Sequence, residues 1–180
     1  FFCRDLKGYA WVFRKGDWLN VGLGREDNQH LAAHVQAFCD FLQRRGKLPA
    51  LHERFSGHAY LLYTSGRREF VSDGALLIGD AAGLAYAQSG EGIRPAVESA
   101  LMAAEVIKDA GGDYSRARLA AYGSLIERRF GRREPGGLDR LLPEWVKQAA
   151  GRRLIANPWF SRNVLLERWF LHADQPPLAV

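Results

Sequence analysis

Residues 75–111, ALLIGDAAGLAYAQSGEGIRPAVESALMAAEVIKDAG, constrain this chain more than any other stretch. Ala75 to Ile78 is a short apolar run with glycine on both sides, too short for a helix, and predicts a buried strand. Gly79 and Asp80 follow at its C-terminal end. A loop of small residues comes next, with Gly83, Gly90 and Gly92. Pro95 then opens a helix whose expected apolar side carries Ala96, Val97, Ala100, Leu101, Ala104 and Ile107, and Gly111 closes it. Strand, glycine loop and helix start together let backbone N–H groups meet a negatively charged group. Glycines remove the side chains that would block close approach, and the helix N-terminus offers unpaired donors and the positive end of a dipole.

A Gly-Asp pair after a strand also occurs in many α/β proteins where Asp only caps a turn. The longer order is more specific. Gly79-Asp80-Ala81-Ala82-Gly83, then Ser89-Gly90-Glu91-Gly92-Ile93 and a small-residue helix, resembles the second flavin-binding motif of FAD-dependent oxidoreductases of the para-hydroxybenzoate hydroxylase type. The resemblance implies that Asp80 holds the ribityl chain, with Gly79 and Ala81 beside it, and that Gly90, Gly92 and Ile93 lie near the flavin N1 and C2 carbonyl. A reduced flavin carries negative charge around N1, which a helix N-terminus stabilises. Ala87 stands where the family usually has Pro.

The segment DLKGYAWVFRKGDWLNVGLG, Asp5 to Gly24, reads as a hairpin. Tyr9, Trp11 and Phe13 alternate with Ala10 and Val12; Lys15-Gly16-Asp17 is the turn, and Trp18, Leu19 and Val21 return. Both faces of the first strand are apolar, so it is expected to be covered on both sides. Taken alone the segment is an aromatic hairpin in an ordinary core. With the second motif downstream, it resembles the YxWxFPK motif of the geranylgeranyl reductase family, a branch of the same flavoenzymes, with Arg14 in place of the Pro. The resemblance implies that Tyr9, Trp11 and Phe13 lie on the substrate-domain sheet near a bound lipid.

The rest of the chain is less specific. Asn28 to Gly46 predicts a helix capped by Asn28, with Leu31, Val35, Phe38 and Leu42 at helical spacing. His30 and His34 lie one turn apart, but no carboxylate or Cys motif completes a metal site, and none is expected. Phe55 to Tyr63 and Glu69 to Val71 read as strands around the turn Ser65-Gly66-Arg67. His58 reads either as a helper in proton transfer or as an ordinary core or surface histidine, so no catalytic residue is assigned. Asp113-Tyr114-Ser115 starts another helix through Leu119, Tyr122, Leu125, Ile126 and Arg129, broken by Pro135-Gly136-Gly137. Helical pieces follow, one with Leu141, Leu142, Trp145 and Val146, another after Asn157-Pro158 with Leu165, Leu166, Trp169 and Phe170. Trp145, Trp159 and Trp169 among arginines suit a membrane-interface surface, the lid of a lipid pocket, or a cap packed on the core; packing is favoured because amphipathic helices mostly pack. The tail from Gln175 to Val180 is expected to be loose.

Composition sets the remaining bounds. The 180 residues are 47% hydrophobic and 25% charged, ordinary for a globular protein with one real core. No apolar run approaches the ~20 residues a membrane span needs. No signal-peptide pattern opens the chain, and the expected location is cytoplasmic, with peripheral membrane contact through the Trp/Arg helices. Cys3 and Cys39 make neither a disulfide framework nor a metal cluster, and Cys39, in an apolar run, reads as a buried small hydrophobe. The net charge is +5, with arginine crowding the last third; without a nucleic-acid motif this basic excess does not indicate nucleic acid.

The fold class is therefore α/β in the α+β sense, as a piece of a two-domain FAD/NAD(P)-binding flavoenzyme. Residues 1–74 are expected to belong to a substrate-binding domain, 75–131 to the C-terminal part of an FAD-binding domain, and 132–180 to a helical extension. The GxGxxG turn that binds the FAD pyrophosphate is absent, and the chain begins Phe1-Phe2-Cys3 without Met. The expectation is an interior piece of a longer protein that binds FAD weakly or not at all without its N-terminal segment. The resemblance implies reduction of isoprenoid double bonds, with FAD as cofactor, a lipid or small-molecule substrate, and NAD(P)H or ferredoxin as electron donor. The alternatives are a flavin monooxygenase or halogenase, and a non-catalytic remnant that binds membrane or a partner.

Overall fold

The computed structural model describes residues 1–27, 29–49, 55–57, 59–63, 69–131 and 143–178. Asn28, His58, Ser65-Gly66-Arg67, Pro135-Gly136-Gly137, Leu141 and Leu142 lie outside the described residues. The architecture is α+β: helices with two small antiparallel sheets. It divides into two compact units, Phe1–Ala59 with Lys147–Arg152, and Tyr60–Val146 with Arg153–Val180.

The first unit is built on the expected hairpin. Strands β1 (Gly8–Lys15) and β2 (Trp18–Arg25) pair antiparallel in full register, with Lys15 opposite Trp18. The two-residue turn Gly16-Asp17 needs a positive φ, and Gly16 supplies +60° at no steric cost. Ala10, Val12, Val21 and Leu23 pack on helix α1 (Leu31–Arg44) through Phe38, Cys39 and Leu42. Cys39 is buried as expected, and burial pushes its thiol pKa up. Arg25, buried at the end of β2, holds Asp5 and Asp27 at 2.7 and 2.9 Å. Its hydrogen bonds bring the Asp5 carboxyl down to about 2.

Two expectations change here. Helix α1 starts at Leu31 behind His30, which sits at φ 52° and makes no side-chain cap. Cover on both sides does not extend to the far end of the first strand: Ala10 is buried and Tyr9 and Trp11 are half-buried, but Phe13 is exposed, as are Trp18 and Leu19 of β2. The two faces of a strand alternate, and α1 covers the Ala10–Val12 face.

On the other face the Trp11 indole lies across the glycines of β2. A Cβ on Gly22 would fall 2.5 Å from Trp11 Cε2. The indole N–H donates to Asn20 Oδ1 at 2.7 Å. Gly22→Ala is therefore expected to turn Trp11 out of its place and lower stability by about 1–3 kcal/mol, read by thermal melting. An unchanged melt with the Trp11–Asn20 bond intact would contradict it.

The second unit opens with β3 (Val71–Ser72) and β4 (Ala75–Leu76), a minimal hairpin. A 3-10 turn follows over Gly79–Ala82, then the small-residue loop and helix α2 (Ile93–Ala110), which Gly111 ends in the left-handed conformation. Helices α3 (Arg116–Leu119) and α4 (Ala121–Phe130) return along α2. The core joins Ala82 and Leu84 to Met102, Ala103, Val106 and Ala110 of α2 and to Leu119, Tyr122 and Ile126. The buried Tyr122 hydroxyl donates to the Leu77 carbonyl at 2.8 Å, and burial pushes its phenol pKa up to about 12.

Several expectations are corrected in this unit. The strand at Ala75–Ile78 is two residues long, and Leu77 and Ile78 are exposed. Among the described residues of Phe55–Tyr63, pairing is limited to a bridge between Leu62 and Ala85. Helix α2 buries the other face: Pro95, Glu98, Ser99, Met102, Ala103, Val106 and Ala110 point inward, while Val97, Leu101 and Ile107 are exposed. The partners α4 and the 3-10 turn select that face.

After α4 come α5 (Glu144–Ile155), α6 (Pro158–Phe160) and a π-helical run, Ser161–Phe170. Asn157 caps α6, accepting from the N–H groups of Trp159 and Phe160. The favoured packing of the tryptophans does not hold for Trp145 and Trp159, which are 73% and 67% exposed; Trp169 is half-buried against Phe160. As far as it is described the tail is held, with residues 172–176 bonded by side chains of α2, α4 and the loop and Leu178 packed on the core; residues 179 and 180 lie outside the described residues.

Candidate functional site

One shallow cavity of about 420 Å³ in the second unit is lined by Tyr60, Ile78, Gly79, Asp80, Gly90, Gly92, Ile93 and Ala96. It lies where the 3-10 turn, the glycine loop and the start of α2 meet. Five of the six residues expected to hold a cofactor are on its wall; Ala81 is not.

Glycine at these positions has a steric cause. The Gly79 φ is +52°, and a Cβ there would lie 2.9 Å from the Ala96 Cβ, so glycine lets the 3-10 turn pack on α2. The Gly79 N–H donates to Ser99 Oγ at 3.0 Å, and that hydroxyl donates to the Ala96 carbonyl. Gly90 has φ +67°, and a Cβ on it would come within 3.0 Å of the Tyr60 hydroxyl. A Cβ on Gly92 would lie 2.6 Å from Asp80 Oδ1. The Asp80 carboxylate is thus packed against the Gly92 backbone, at the mouth of α2.

The backbone donors sort clearly. The Gly90 N–H donates to the Tyr86 carbonyl at 2.7 Å, the Tyr86 N–H to the Glu91 carbonyl at 3.0 Å, and the Arg94 N–H to Glu91 Oε1 at 3.0 Å. Pro95 has no N–H, and Ala96 closes the first helical bond to the Gly92 carbonyl. Among the described residues, no acceptor meets the N–H of Gly92 or Ile93. A carboxylate for hydroxyls therefore stands beside two amides for a partially negative, planar edge. That donor and acceptor set fits a flavin with its ribityl chain.

Three wall residues had no local signal in the sequence. Tyr60, whose hydroxyl donates to the Gly90 carbonyl at 2.9 Å, belongs to no motif. Its phenol pKa is raised by burial, then by Asp80 and Glu91. In the sequence Ile78 reads as buried strand and Ala96 as helix face. Ser99 has one available signal: Glu98-Ser99 is a polar pair within the small and apolar run from Pro95 to Ala104 of the helix. Among the described residues no group of three His, Cys, Asp or Glu side chains converges on a metal position. Tyr9, Trp11 and Phe13 share the face of the hairpin turned away from α1 in the first unit. The Tyr9 and Trp11 rings are 5.7 Å apart, and Phe13 is exposed.

No family model matches the chain. It is similar to digeranylgeranylglycerophospholipid reductase 2 of Methanosphaera stadtmanae, 32% identical over 133 residues, covering 69% of this chain and 33% of that protein. It is likewise similar to digeranylgeranylglycerophospholipid reductase of Thermoplasma acidophilum, 34% identical over 137 residues, covering 70% and 33%. Among solved structures, a geranylgeranyl bacteriochlorophyll reductase-like protein of Thermoplasma acidophilum superposes with a TM-score of 0.56 at 29% identity, over 79% of this chain and 36% of that one. The chain spans about a third of the length of these relatives. Matching motifs, relatives above 30% identity and a shared fold lead to one conclusion: this chain belongs to the geranylgeranyl reductase family.

Proposed function

We propose that this chain is the cofactor-edge and substrate-sheet portion of an FAD-dependent oxidoreductase that reduces carbon–carbon double bonds of an isoprenoid or related lipid. The observation that carries the reading is the packing of Asp80 against Gly92, beside the amides of Gly92 and Ile93 that meet no acceptor among the described residues. In this reading residues 1–74 contribute to a substrate-binding domain, 75–131 to the FAD-binding domain, and 132–180 form a helical extension.

Asp80 accepts hydrogen bonds from ribityl hydroxyls, and Gly92 and Ile93 donate to the N1–C2 edge. Gly79 and Gly90 keep the wall free of side chains, and Tyr60 holds the Gly90 carbonyl. The α2 dipole favours negative charge at that edge. FAD, when bound, supplies the reducing chemistry. Tyr9, Trp11 and Phe13 offer an apolar aromatic face for the hydrocarbon chain.

The test has two parts. Titrated alone, the 180-residue chain is expected to bind FAD weakly or not at all; fused behind a strand–GxGxxG–helix segment, it is expected to retain a yellow flavin. With a reductant and a geranylgeranyl lipid, mass spectrometry should find two hydrogens added per reduced double bond. An oxygenated or halogenated aromatic product would favour the monooxygenase reading instead.

Peripheral membrane contact belongs to the same proposal, because Trp145 and Trp159 are exposed in a segment whose sequence is rich in arginine. No described helix is long and apolar enough to cross a membrane. Flotation with anionic liposomes, weakened by salt, is the expected behaviour. Flotation without any flavin-dependent product would support a non-catalytic remnant.

A further inference from the structure

The tail after the π-helical run is fastened to the loop and helix that wall the cavity. The Tyr86 ring stacks on His172, with centroids 3.7 Å apart and planes at 29°, and its hydroxyl donates to Gln175 Oε1 at 3.2 Å. Arg94, in the first turn of α2, donates to the carbonyls of His172 and Pro176 at 3.2 and 3.3 Å. Arg129 of α4 donates to the same Pro176 carbonyl at 3.0 Å. Leu178 packs on the core of this unit.

His172 holds this place against two local costs. Its φ of 47° is in the left-handed region, uncommon for a residue with a Cβ. It is 7% exposed, and its Nε2 has no hydrogen-bond partner among the described residues. A strained backbone and an orphaned buried nitrogen persist only where the surroundings over-determine them. Here the surroundings are Tyr86 and Arg94, one at each end of the glycine loop. Tyr86 exchanges backbone hydrogen bonds with Gly90 and Glu91, and Glu91 caps Arg94. The chain of contacts runs from tail to Tyr86, across the loop to Arg94, and back to the tail.

We propose that residues 172–176 are a strap that fixes the loop 86–92, and with it the amides of Gly92 and Ile93, and that His172 is a positioning residue for that edge. The strap itself rests on the contacts above; its role in binding rests on the flavin reading.

Amide hydrogen exchange of the full chain, without cofactor, tests it. His172→Ala is expected to raise exchange of the hydrogen-bonded loop amides in 86–93, those of Tyr86 and Gly90, tenfold or more, while residues 102–110 keep their protection. His172→Phe retains a flat ring over Tyr86 and is expected to restore the parent pattern. Should His172→Ala fail to fold, Gln175→Ala, which removes only the Tyr86 acceptor, is expected to raise the same segment about threefold. Unchanged exchange at 86–93, or an equal rise at 102–110, would overturn the strap. Because this readout needs no flavin, a chain that behaves as expected, yet shows no FAD-dependent protection of Gly92 and Ile93 in the fused protein, keeps the strap and loses the flavin reading.

Discussion

Replacing Glu98 by Ala is expected to destabilise the second unit by about 3–5 kcal/mol, the usual cost of removing one partner from a buried ion pair. Glu98 is 5% exposed in the middle of α2. It accepts from Arg94 Nε at 2.9 Å, and from Arg129 Nε and Nη2 at 2.7 and 2.6 Å. Without the carboxylate, two guanidiniums stay largely buried with only backbone carbonyls as partners. In a chain of this size each kcal/mol lowers the melting temperature by roughly 2–4 °C, so calorimetry should find a fall of about 10 °C. A fall of about 2 °C or less would mean that the two arginines find water or new acceptors.

The same pair gives a pH dependence of known sign. Burial is the largest influence on Glu98 and pushes its pKa up, but hydrogen bonds from Arg129 and Arg94, together with their charges, outweigh it; the net result is below the ordinary 4.5. A folded-state pKa below the unfolded one stabilises the fold fully above the ordinary value, and that contribution is lost as pH falls through the depressed value. The gap between the parent and Glu98→Ala melts should therefore be widest near neutral pH and narrow below about pH 4.5. His172 acts in the same direction at a higher pH. Burial, then Arg94, lowers its pKa, so the unfolded chain takes up the proton first, and stability declines as pH falls from the ordinary histidine range.

Gly92→Ala separates function from stability. Its φ of −119° is open to any residue, so the fold should tolerate alanine at a cost of about 1 kcal/mol or less, the penalty for losing a glycine N-cap. The new Cβ would still lie 2.6 Å from Asp80 Oδ1, and the flexible carboxylate is the group that moves. Losing a hydrogen bond to a charged group costs about 1.5–3 kcal/mol, which is roughly a ten- to hundredfold loss of FAD affinity. Asp80→Ala should match that loss without the steric clash. Flavin titration of the fused protein reads both. Equal affinity in the parent and both variants would remove Asp80 from the site.

Much of the site was legible because its residues are neighbours in sequence. Gly79, Asp80, Gly90, Gly92 and Ile93 lie within one short segment, and the steric need for glycine beside a carboxylate and a helix mouth shows in their order. The hairpin was legible for the same reason, since period-two apolar residues around Lys15-Gly16-Asp17 define strands and turn together. The buried face of α2 was not. Its sequence carries two apolar stripes, Val97-Leu101 and Met102-Val106, and periodicity cannot rank them. Tyr122 and Ile126 of α4 and the 3-10 turn make the choice.

What the sequence by itself determined was local: the turn at Gly16, the end of α2 at Gly111 (though α2 begins at Ile93, ahead of the expected Pro95), and the glycine-and-carboxylate order that carries the family resemblance. These follow from backbone conformations that only certain residues adopt. Tertiary structure alone decided which side of α2 is buried, that Tyr60 reaches the loop from 30 residues away, that Glu98 takes Arg129 from 31 residues away, and that His172 comes back to Tyr86. Such contacts close long loops, and their partners are selected by packing and charge compensation in three dimensions, which leave no periodic trace in the chain.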